Sequence, residues 1–218
     1  MRLMVEVQSS IAPDALVVPY ALWPHHQVLA QSDMSALPAL RQWLRRASCV
    51  SRACVSAVDA PSLSMPHEIA QARQRGWPLI DGVLPWAAQA AVQAGLAQAG
   101  DGSAWGFVTL CHWQISQGLA TMTDPAALRL DDATDAALFE AMQTFFAEDG
   151  LVLHRHQPGV WLVQSPGLAT LPTASLARVL GEDVDAWLVG SHGAHDSHAA
   201  VVKLWRRLQN EMQMLLYT

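Results

Sequence analysis

The sequence lacks the features that identify several large classes of protein. Its 13 Lys and Arg residues are scattered and its formal net charge is -6, so it offers no basic stripe to a nucleic-acid backbone. No apolar run reaches the roughly 18 to 20 residues of a membrane-spanning helix, and Glu6, Gln8 and Asp14 interrupt the first apolar stretch. We therefore expect a soluble, unprocessed cytoplasmic protein that binds neither nucleic acid nor a membrane.

Cysteines and the motifs of common catalytic sites are also scarce. The three cysteines, Cys49, Cys54 and Cys111, leave one thiol unpaired in any disulfide scheme, which favours a reducing compartment. The sequence contains no G-x-x-x-x-G-K-S/T, G-x-G-x-x-G, H-E-x-x-H or G-x-S-x-G. These absences exclude the usual nucleotide, zinc-protease and hydrolase sites, and we expect no metal and no cofactor.

Apolar residues, by contrast, are plentiful, at 51% of 218 positions. That content is enough to bury one sizeable core. We predict a single domain over residues 1–218. The alternative division is a helical part over 1–100 and a β-rich part, with the terminal helix, over 101–218.

The first half of the chain is predicted to be mainly helical. The stretch ALVVPYALWP reads as a short buried strand, and an amphipathic helix follows from near Ser35. A second helix is predicted over 64–76 with Ser64 as its cap. A third, over 85–100, is rich in alanine, which allows close packing against a neighbour.

Strand patterns replace helical ones after Trp105. The stretches WGFVTLCHWQI and LATMTDP read as two strands joined across 116–118, and LVLHRHQPGVWLVQS reads as a hairpin turned at Pro158 and Gly159. A helix separates the two hairpins. This order predicts an α+β fold, in which a largely antiparallel sheet built from hairpins is flanked by helices and followed by a long C-terminal helix.

Two helices accompany these hairpins. The first has Asp131 or Asp132 as its cap and ends at Gly150. Its predicted buried face consists of Leu138, Met142 and Phe145. The final helix has an apolar face at helical spacing, formed by Val201, Leu204, Trp205, Leu208, Met212 and Leu215.

His112 is the leading candidate for a polar group in a binding pocket. It lies between Cys111 and Trp113 in the first hairpin, and Asp124 follows the next strand. A Cys111–His112 nucleophile would need both side chains together, whereas neighbouring strand residues point to opposite faces. We therefore predict His112, Trp113 and Asp124 as ligand-binding residues. The structural alternative is a buried thiol beside a hydrogen-bonded histidine.

Other histidines occur in two patterns. His192, His195 and His198 would suit zinc, although the small residues around them favour a solvated loop. His154 and His156 alternate along a strand, so they share one face, which we expect to be solvated. Neither pattern is predicted to be a metal site.

Polar residues on helices complete the candidate set. His67 and Glu68 open the second helix, where the helix dipole alone stabilises a carboxylate. Arg207 and Glu211 are four residues apart on the final helix and suit a surface ion pair. Asn210 lowers helix propensity, so we expect it to make a specific hydrogen bond. All five are also predicted as ligand-binding residues.

Five stretches together resemble one protein family: LPALRQWLRRA, PHEIAQARQRG with DGVLPWAA, TLCHWQISQGLATMTDPAALRL, LPTASLARVLGEDVDAWL and RLQNEMQMLLYT. They are similar to the RpfE-type regulatory proteins of proteobacteria, which are also described as cofactor-independent phosphoglycerate mutases. The resemblance runs from about residue 16 to the end. Family members continue beyond the final helix, so the resemblance implies that Arg207, Asn210 and Glu211 face further protein. The alternative is that this strip faces a partner subunit, as exposed helix surfaces often do.

The mutase description meets a chemical objection. A metal-dependent mutase needs a Ser or Thr nucleophile and clustered Asp and His ligands around two metals. The stretch LVVPYALWP has no Asp to serve as the first ligand, and no Asp-x-x-x-His follows. The Arg-His-Gly motif of the phosphohistidine type is also absent.

The leading hypothesis is therefore an RpfE-like regulatory or ligand-binding protein without metal-dependent phosphotransfer. Its partner would be an unknown small molecule or protein. One alternative is a mutase-like enzyme in which folding brings His112, Asp124 and His67 together. The other is an interaction module that forms a homodimer through the C-terminal helix.

Overall fold

The structure, a computed structural model, describes residues 38–46, 62–191 and 198–216. The chain divides into two compact units, Met1–Arg52 and Ala53–Thr218. The element described in the first unit is helix α1, Pro38–Arg46, where the sequence predicts a helix from near Ser35. The predicted strand ALVVPYALWP lies outside the described residues. The division follows Arg52 rather than residue 100, near which the sequence predicts the alternative boundary.

Antiparallel strands form the framework of the second unit. One sheet contains β1 (Trp105–Thr109), β4 (Val152–Gln157) and β5 (Val160–Gln164) in the order β1-β5-β4. A separate hairpin contains β2 (Trp113–Ser116) and β3 (Leu119–Met122). The predicted α+β class, with hairpins and a long C-terminal helix, is confirmed.

The single strand predicted over WGFVTLCHWQI is wrong. The chain leaves the first sheet after Leu110, whose N–H still donates to the Gly159 carbonyl at 2.8 Å. The His112 carbonyl already accepts from the Thr123 N–H, at 2.9 Å, beside the second hairpin. Cys111 therefore marks the crossing between two sheets: β1 pairs with β5, and only β2 pairs with β3.

Both predicted turns are confirmed. Gln117 and Gly118 join β2 to β3 with φ values of 50° and 83°, and two successive positive φ values are typical of a type I′ turn. Pro158 and Gly159 join β4 to β5. A register shift between Arg155 and Gln157 marks a bulge just before this turn.

The helices of the second unit are α2 (Pro66–Gln74), α3 (Trp86–Gln93), α4 (Asp132–Glu148), the short α5 (Leu176–Val179) and α6 (Ala199–Leu216). The predicted Ser64 cap is wrong, because α2 begins after Met65, whose N–H donates to Glu68 Oε2 at 2.7 Å. The prediction that α3 continues to residue 100 is also wrong. Gly95, with φ at 72°, lets the Leu96 N–H close the helix on the Ala91 carbonyl.

Helix α4 begins where the sequence predicts. The Asp131 carboxylate caps it by accepting from the Thr134 N–H at 2.7 Å, and Gly150 follows its last turn with φ at 72°. One predicted core residue is wrong: Phe145 is 39% exposed, whereas Phe146 is fully buried. Residues four apart lie on the same face of a helix, so Phe146 shares the buried face of Met142.

Helices α4 and α6 supply side chains to a core that includes residues of all three strands of the larger sheet. The fully buried members of this core include Phe146, Trp161, Val163 and Leu208. The predicted apolar face of α6 is confirmed, since all six of its residues belong to this core or pack against it: Val201, Leu204, Trp205, Leu208, Met212 and Leu215.

Helix α3 packs against a second cluster. Its residues Ala87, Ala90 and Ala91 surround Leu162 of β5, and Trp105 lies beside them. The predicted close packing of an alanine-rich helix is therefore confirmed. Within the described ranges, no helix combines the length and the hydropathy that a membrane crossing requires.

Candidate functional site

The β2–β3 hairpin brings His112 close to the residues that precede Asp124. The His112 carbonyl accepts from both the Thr123 N–H and the Thr123 hydroxyl, each at 2.9 Å. The Asp124 carboxylate accepts from the Ala126 N–H at 2.9 Å, so it caps the short helical turn Pro125–Leu128. Both side chains are exposed. The structure thus gives Asp124 a capping role and leaves His112 at the surface.

Cys111 has the environment of a structural thiol. It is half-buried, and burial raises the pKa of its thiol, although a hydrogen bond with the Trp113 side chain opposes that shift. A nucleophilic cysteine needs the opposite shift, because the thiolate is the reactive form. The structural interpretation of Cys111 is therefore favoured.

His67 and Glu68 lie in the first turn of α2. Burial lowers the pKa of His67, and the charge of Glu68 only partly opposes this shift. Glu68 itself accepts the Met65 N–H and so stabilises the start of the helix. These contacts match the structural interpretation that the sequence offers for the pair.

The polar strip of α6 partly faces its own chain. Arg207 forms an ion pair with Asp149, just beyond the last residue of α4, and its Nε lies 3.7 Å from Glu211 Oε1. The predicted Arg207–Glu211 pair is therefore present. Asn210 is exposed, and no described residue forms the hydrogen bond expected of it.

The histidine patterns are only partly described. His192 and His195 lie outside the described residues, and His198 Nε2 is 2.9 Å from the Thr170 hydroxyl. In the described part of the chain, no group of three or more His, Cys, Asp and Glu residues is placed to hold a metal ion.

His154 and His156 do share one face of the sheet, as predicted. The expectation that this face is solvated is correct in part: Phe107 and Val152 on it are exposed, whereas both histidines are half-buried and their rings pack against aromatic side chains. The ring centroids of Trp105 and His154 are 5.4 Å apart, and those of Phe107 and His156 are 6.3 Å apart. Trp105, on the same face, also packs against the cluster that α3 forms with Leu162.

A carboxylate that the sequence did not single out joins two segments that are distant along the chain. Asp81 accepts from the Ser62 hydroxyl at 3.0 Å and from the N–H groups of Leu63 and Ser64 at 2.9 and 2.8 Å. Burial alone would raise the pKa of Asp81, but these hydrogen bonds hold it below its usual value. We call the assembly of Ser62–Met65, Asp81–Gly82 and Thr173–Ser175 the Asp81 junction.

Backbone bonds complete the Asp81 junction. The Thr173 N–H donates to the Gly82 carbonyl at 3.0 Å, and the Ser175 N–H donates to the Leu63 carbonyl at 2.9 Å. Gly82 has φ at 72°, and a Cβ there would lie 2.6 Å from Leu63 Cδ1 and 3.0 Å from the Thr173 nitrogen. Glycine is required at this position both by backbone conformation and by space.

The segment that follows the junction reaches the β2–β3 hairpin. The Gly181 N–H donates to the Met122 carbonyl at 3.0 Å, and Thr121 forms a bridge with Asp183. The short helical turn Val184–Trp187 packs against β3. Residues 171–188 therefore connect the start of α2 to the hairpin that carries His112.

Two polar side-chain atoms in this connecting segment have no partner. Arg178 Nε and Ser175 Oγ are sealed from solvent, and no described residue forms a hydrogen bond with either. The Arg178 guanidinium lies 4.8 Å from the centre of the Trp187 ring. Four other buried atoms of the described residues also lack a partner: Trp86 Nε1, Trp105 Nε1, Trp205 Nε1 and Gln209 Oε1. The connecting segment differs from these in that two such atoms lie three residues apart and one belongs to a cation beside an aromatic ring.

The carboxylate of Asp135 is buried, and both of its oxygens accept hydrogen bonds. Asp135 on α4 is fully buried, and its Oδ1 accepts from the Gly159 N–H and from Trp161 Nε1, both at 2.8 Å. Its Oδ2 accepts from Arg155 Nε, also at 2.8 Å. We call this set the Asp135 hub. The signal that could have found it is an acidic residue in line with Leu138 and Met142.

A shallow cavity lies elsewhere, near the start of β4. Its volume is about 210 Å³, and it is lined by residues 102–104, Gly150, Val152, Gln164 and Pro166. None of these residues is charged, and none is a predicted site residue. The cavity therefore offers fewer groups for binding a ligand than the Arg178 segment does.

Comparison with known proteins adds no relative. No family model, no curated protein and no solved structure matches this chain. The resemblance to RpfE-type proteins therefore stays a prediction from the sequence stretches themselves.

Proposed function

We propose that this chain is an RpfE-like regulatory protein of the cytoplasm that binds a small-molecule ligand beside the Asp81 junction. The observation that carries the proposal is the pair of sealed, unpartnered atoms, Arg178 Nε and Ser175 Oγ. Each such group left without a hydrogen bond costs roughly 1–3 kcal/mol of stability. A ligand that supplies the missing hydrogen bonds would recover this free energy on binding.

The position of the pair supports the same proposal. Several stretches that carry the family resemblance meet around it, because residues 171–188 bond to Leu63 and Gly82 on one side and to Met122 on the other. A ligand bound at Arg178 would therefore contact a segment tied to three parts of the fold. Such a segment suits a regulatory protein, in which binding must be transmitted to a surface.

The test begins with the purified full chain. Native mass spectrometry would detect a ligand that copurifies, and a thermal-shift screen of metabolites would detect one that was lost. We expect a bound or stabilising small molecule whose effect disappears in Arg178→Gln but persists in Arg75→Gln. Arg75 is a suitable control because it also stacks on tryptophan, 5.0 Å from the centre of Trp77, and is exposed.

The same preparation tests the mutase-like alternative. The protein would be assayed, with and without added Mn²⁺, for conversion of 3-phosphoglycerate to 2-phosphoglycerate. Turnover that is lost in His112→Ala would overturn the proposed function. No turnover, together with a ligand sensitive to Arg178→Gln, would support it.

The homodimer remains a separate proposal. Leu208, which a dimer through the apolar face of α6 would use, is fully buried within its own chain. A dimer through this helix would instead have to use exposed residues such as Met214 and Leu216. Solution mass of the wild type and of Met214→Glu would test this version directly.

A further inference from the structure

We propose that Arg178 and Ser175 bind the oxyanion of a small ligand, either a carboxylate or a phosphate group, with Trp187 fixing the plane of the guanidinium. This inference rests on the proposed function and specifies its ligand class. The two residues each offer a donor, and neither donor is used within the described chain.

Arg178 lacks a counterion. The ion pairs of the described residues involve Arg155 and Arg207, and none involves Arg178. A partly buried cation is costly unless an anion offsets its lost hydration. An anion bound here would supply both the counterion and the acceptor that the described chain does not provide.

The carboxylates of the Asp81 junction and of residues 182–185 form no ion pair with Arg178. Asp81 already accepts three hydrogen bonds within the Asp81 junction. Asp183 accepts from the Asp185 N–H at 3.3 Å, and Thr121 holds its backbone in a bridge. No ion pair connects Asp183, Asp185 or Glu182 with Arg178 among the described residues.

The arrangement of donors suits an oxyanion. Ser175 and Arg178 are three residues apart along a helical turn, in which the Arg178 N–H donates to the Ser175 carbonyl at 2.9 Å, so their side chains lie on the same side of it. A hydroxyl and the edge of a guanidinium that carries Nε can bind two oxygens of one carboxylate or phosphate. Stacking on Trp187 restricts the guanidinium to one plane, which lowers the entropy lost on binding.

The covering of this site is thin. Ser175 and Arg178 are only partly buried as residues, although the two unpartnered atoms are sealed. Leu176 and Leu180, on the same short segment, are both exposed. We therefore expect an anion to reach the donors after side-chain rotation at the surface, without unfolding of the segment.

The experiment is a titration of the full chain at constant ionic strength. The probes are inorganic phosphate and acetate, with acetamide as the uncharged counterpart of acetate, and binding is followed by calorimetry and by tryptophan fluorescence. We expect saturable one-to-one binding of at least one anion and none of acetamide. Arg178→Gln should weaken binding about tenfold or more, Ser175→Ala by less, and Arg75→Gln not at all.

A second variant keeps the test decisive if Arg178→Gln fails to fold. Ser175→Asp places a carboxylate beside Arg178, so it should raise the melting temperature and prevent binding of the added anion. Wild-type protein that binds neither anion, or anion binding that is equal in wild type and Ser175→Asp, would overturn the inference. If anions fail but an uncharged metabolite binds and is lost in Arg178→Gln, the inference fails while the proposed function stands.

Discussion

The Asp135 hub and the Arg178 segment present two solutions to the same problem, the burial of polar groups. Asp135 is sealed in the core, and three hydrogen bonds from Gly159, Trp161 and Arg155 satisfy both of its oxygens. Arg178 has a sealed nitrogen with no partner at all. The hub therefore has the character of a structural element, because its polar bonds are complete. The Arg178 segment is the proposed site, because its polar bonds are incomplete.

The sharpest test of this contrast is Asp135→Asn. The variant removes the charge that Arg155 faces and turns one acceptor into a donor that opposes its neighbours. We expect the free energy of unfolding to fall by about 3 kcal/mol, measured by urea denaturation. Asp132→Asn is the matched control, since Asp132 also bonds Arg155 but its side chain is 85% exposed. Equal effects of the two variants would show that burial does not set the strength of the hub.

A smaller loss is expected from Gly82→Ala, which disturbs the junction that holds the Arg178 segment. The added methyl would meet Leu63 and the Thr173 backbone, in addition to straining a φ of 72°. Gly76→Ala isolates the strain alone, because Gly76 has φ at 70° and open space around it. We expect a loss of about 1 kcal/mol for Gly76→Ala and about 2 kcal/mol or more for Gly82→Ala. Equal melting temperatures would contradict the close approach at the junction.

Acid should weaken both the Asp135 hub, whose carboxylate is buried, and the Asp81 junction, whose carboxylate is exposed. Burial would raise the pKa of Asp135, but hydrogen bonds from Gly159, Trp161 and Arg155 hold it below the usual 3.8, and Asp81 is similarly lowered. The unfolded chain therefore binds more protons at low pH. The stabilisation is complete well above pH 3.8 and is lost as the pH falls through the lower pKa values of the folded state.

Urea midpoints between pH 6 and pH 2 would measure this loss. The urea midpoint of Asp135→Asn should fall less between pH 6 and pH 2 than that of the wild type, because the variant has no carboxylate to protonate at that position. If the midpoints of Asp135→Asn and Asp81→Asn fall with pH as steeply as those of the wild type, the loss of stability in acid comes from other groups.

The smallest change in stability is expected at Arg178. Arg178→Met removes an unpartnered cation while keeping much of the apolar stem, so we expect unfolding free energy to stay within about 1 kcal/mol of wild type or to rise. Ligand or anion binding should be lost in the same protein. A destabilisation as large as that of Asp135→Asn would remove the contrast between site and structure.

Local signals predicted much of the fold. Asp131 and Gly150 bracket α4, and the two hairpin turns are marked by Gly118 and Gly159, which tolerate the positive φ values found there. The break at Cys111 was missed because the apolar pattern continues through it. Only the pairing of Leu110 with Gly159, and of His112 with Thr123, reveals the change of sheet.

The candidate site was much less predictable. Asp81 is an exposed residue in a turn. Its structural role lies in the hydrogen bonds that it accepts from Leu63 and Ser64, which are far from it in sequence. Arg178 reads as an ordinary surface residue until its missing partner is seen. Histidines attracted the prediction because their chemistry is versatile, yet His112 is exposed and His154 packs against Trp105.

The sheet order also bears on how the chain folds. Strands β4 and β5 are neighbours in sequence and can form their hairpin quickly, whereas β1 reaches β5 only after β2, β3 and α4 have been bridged. Closing so long a loop is slow, so we expect β1 to dock late on the folding pathway. Native-state hydrogen exchange should then be slowest at Trp161, Leu162 and Val163 of the central strand, and faster along the outer edge of β1.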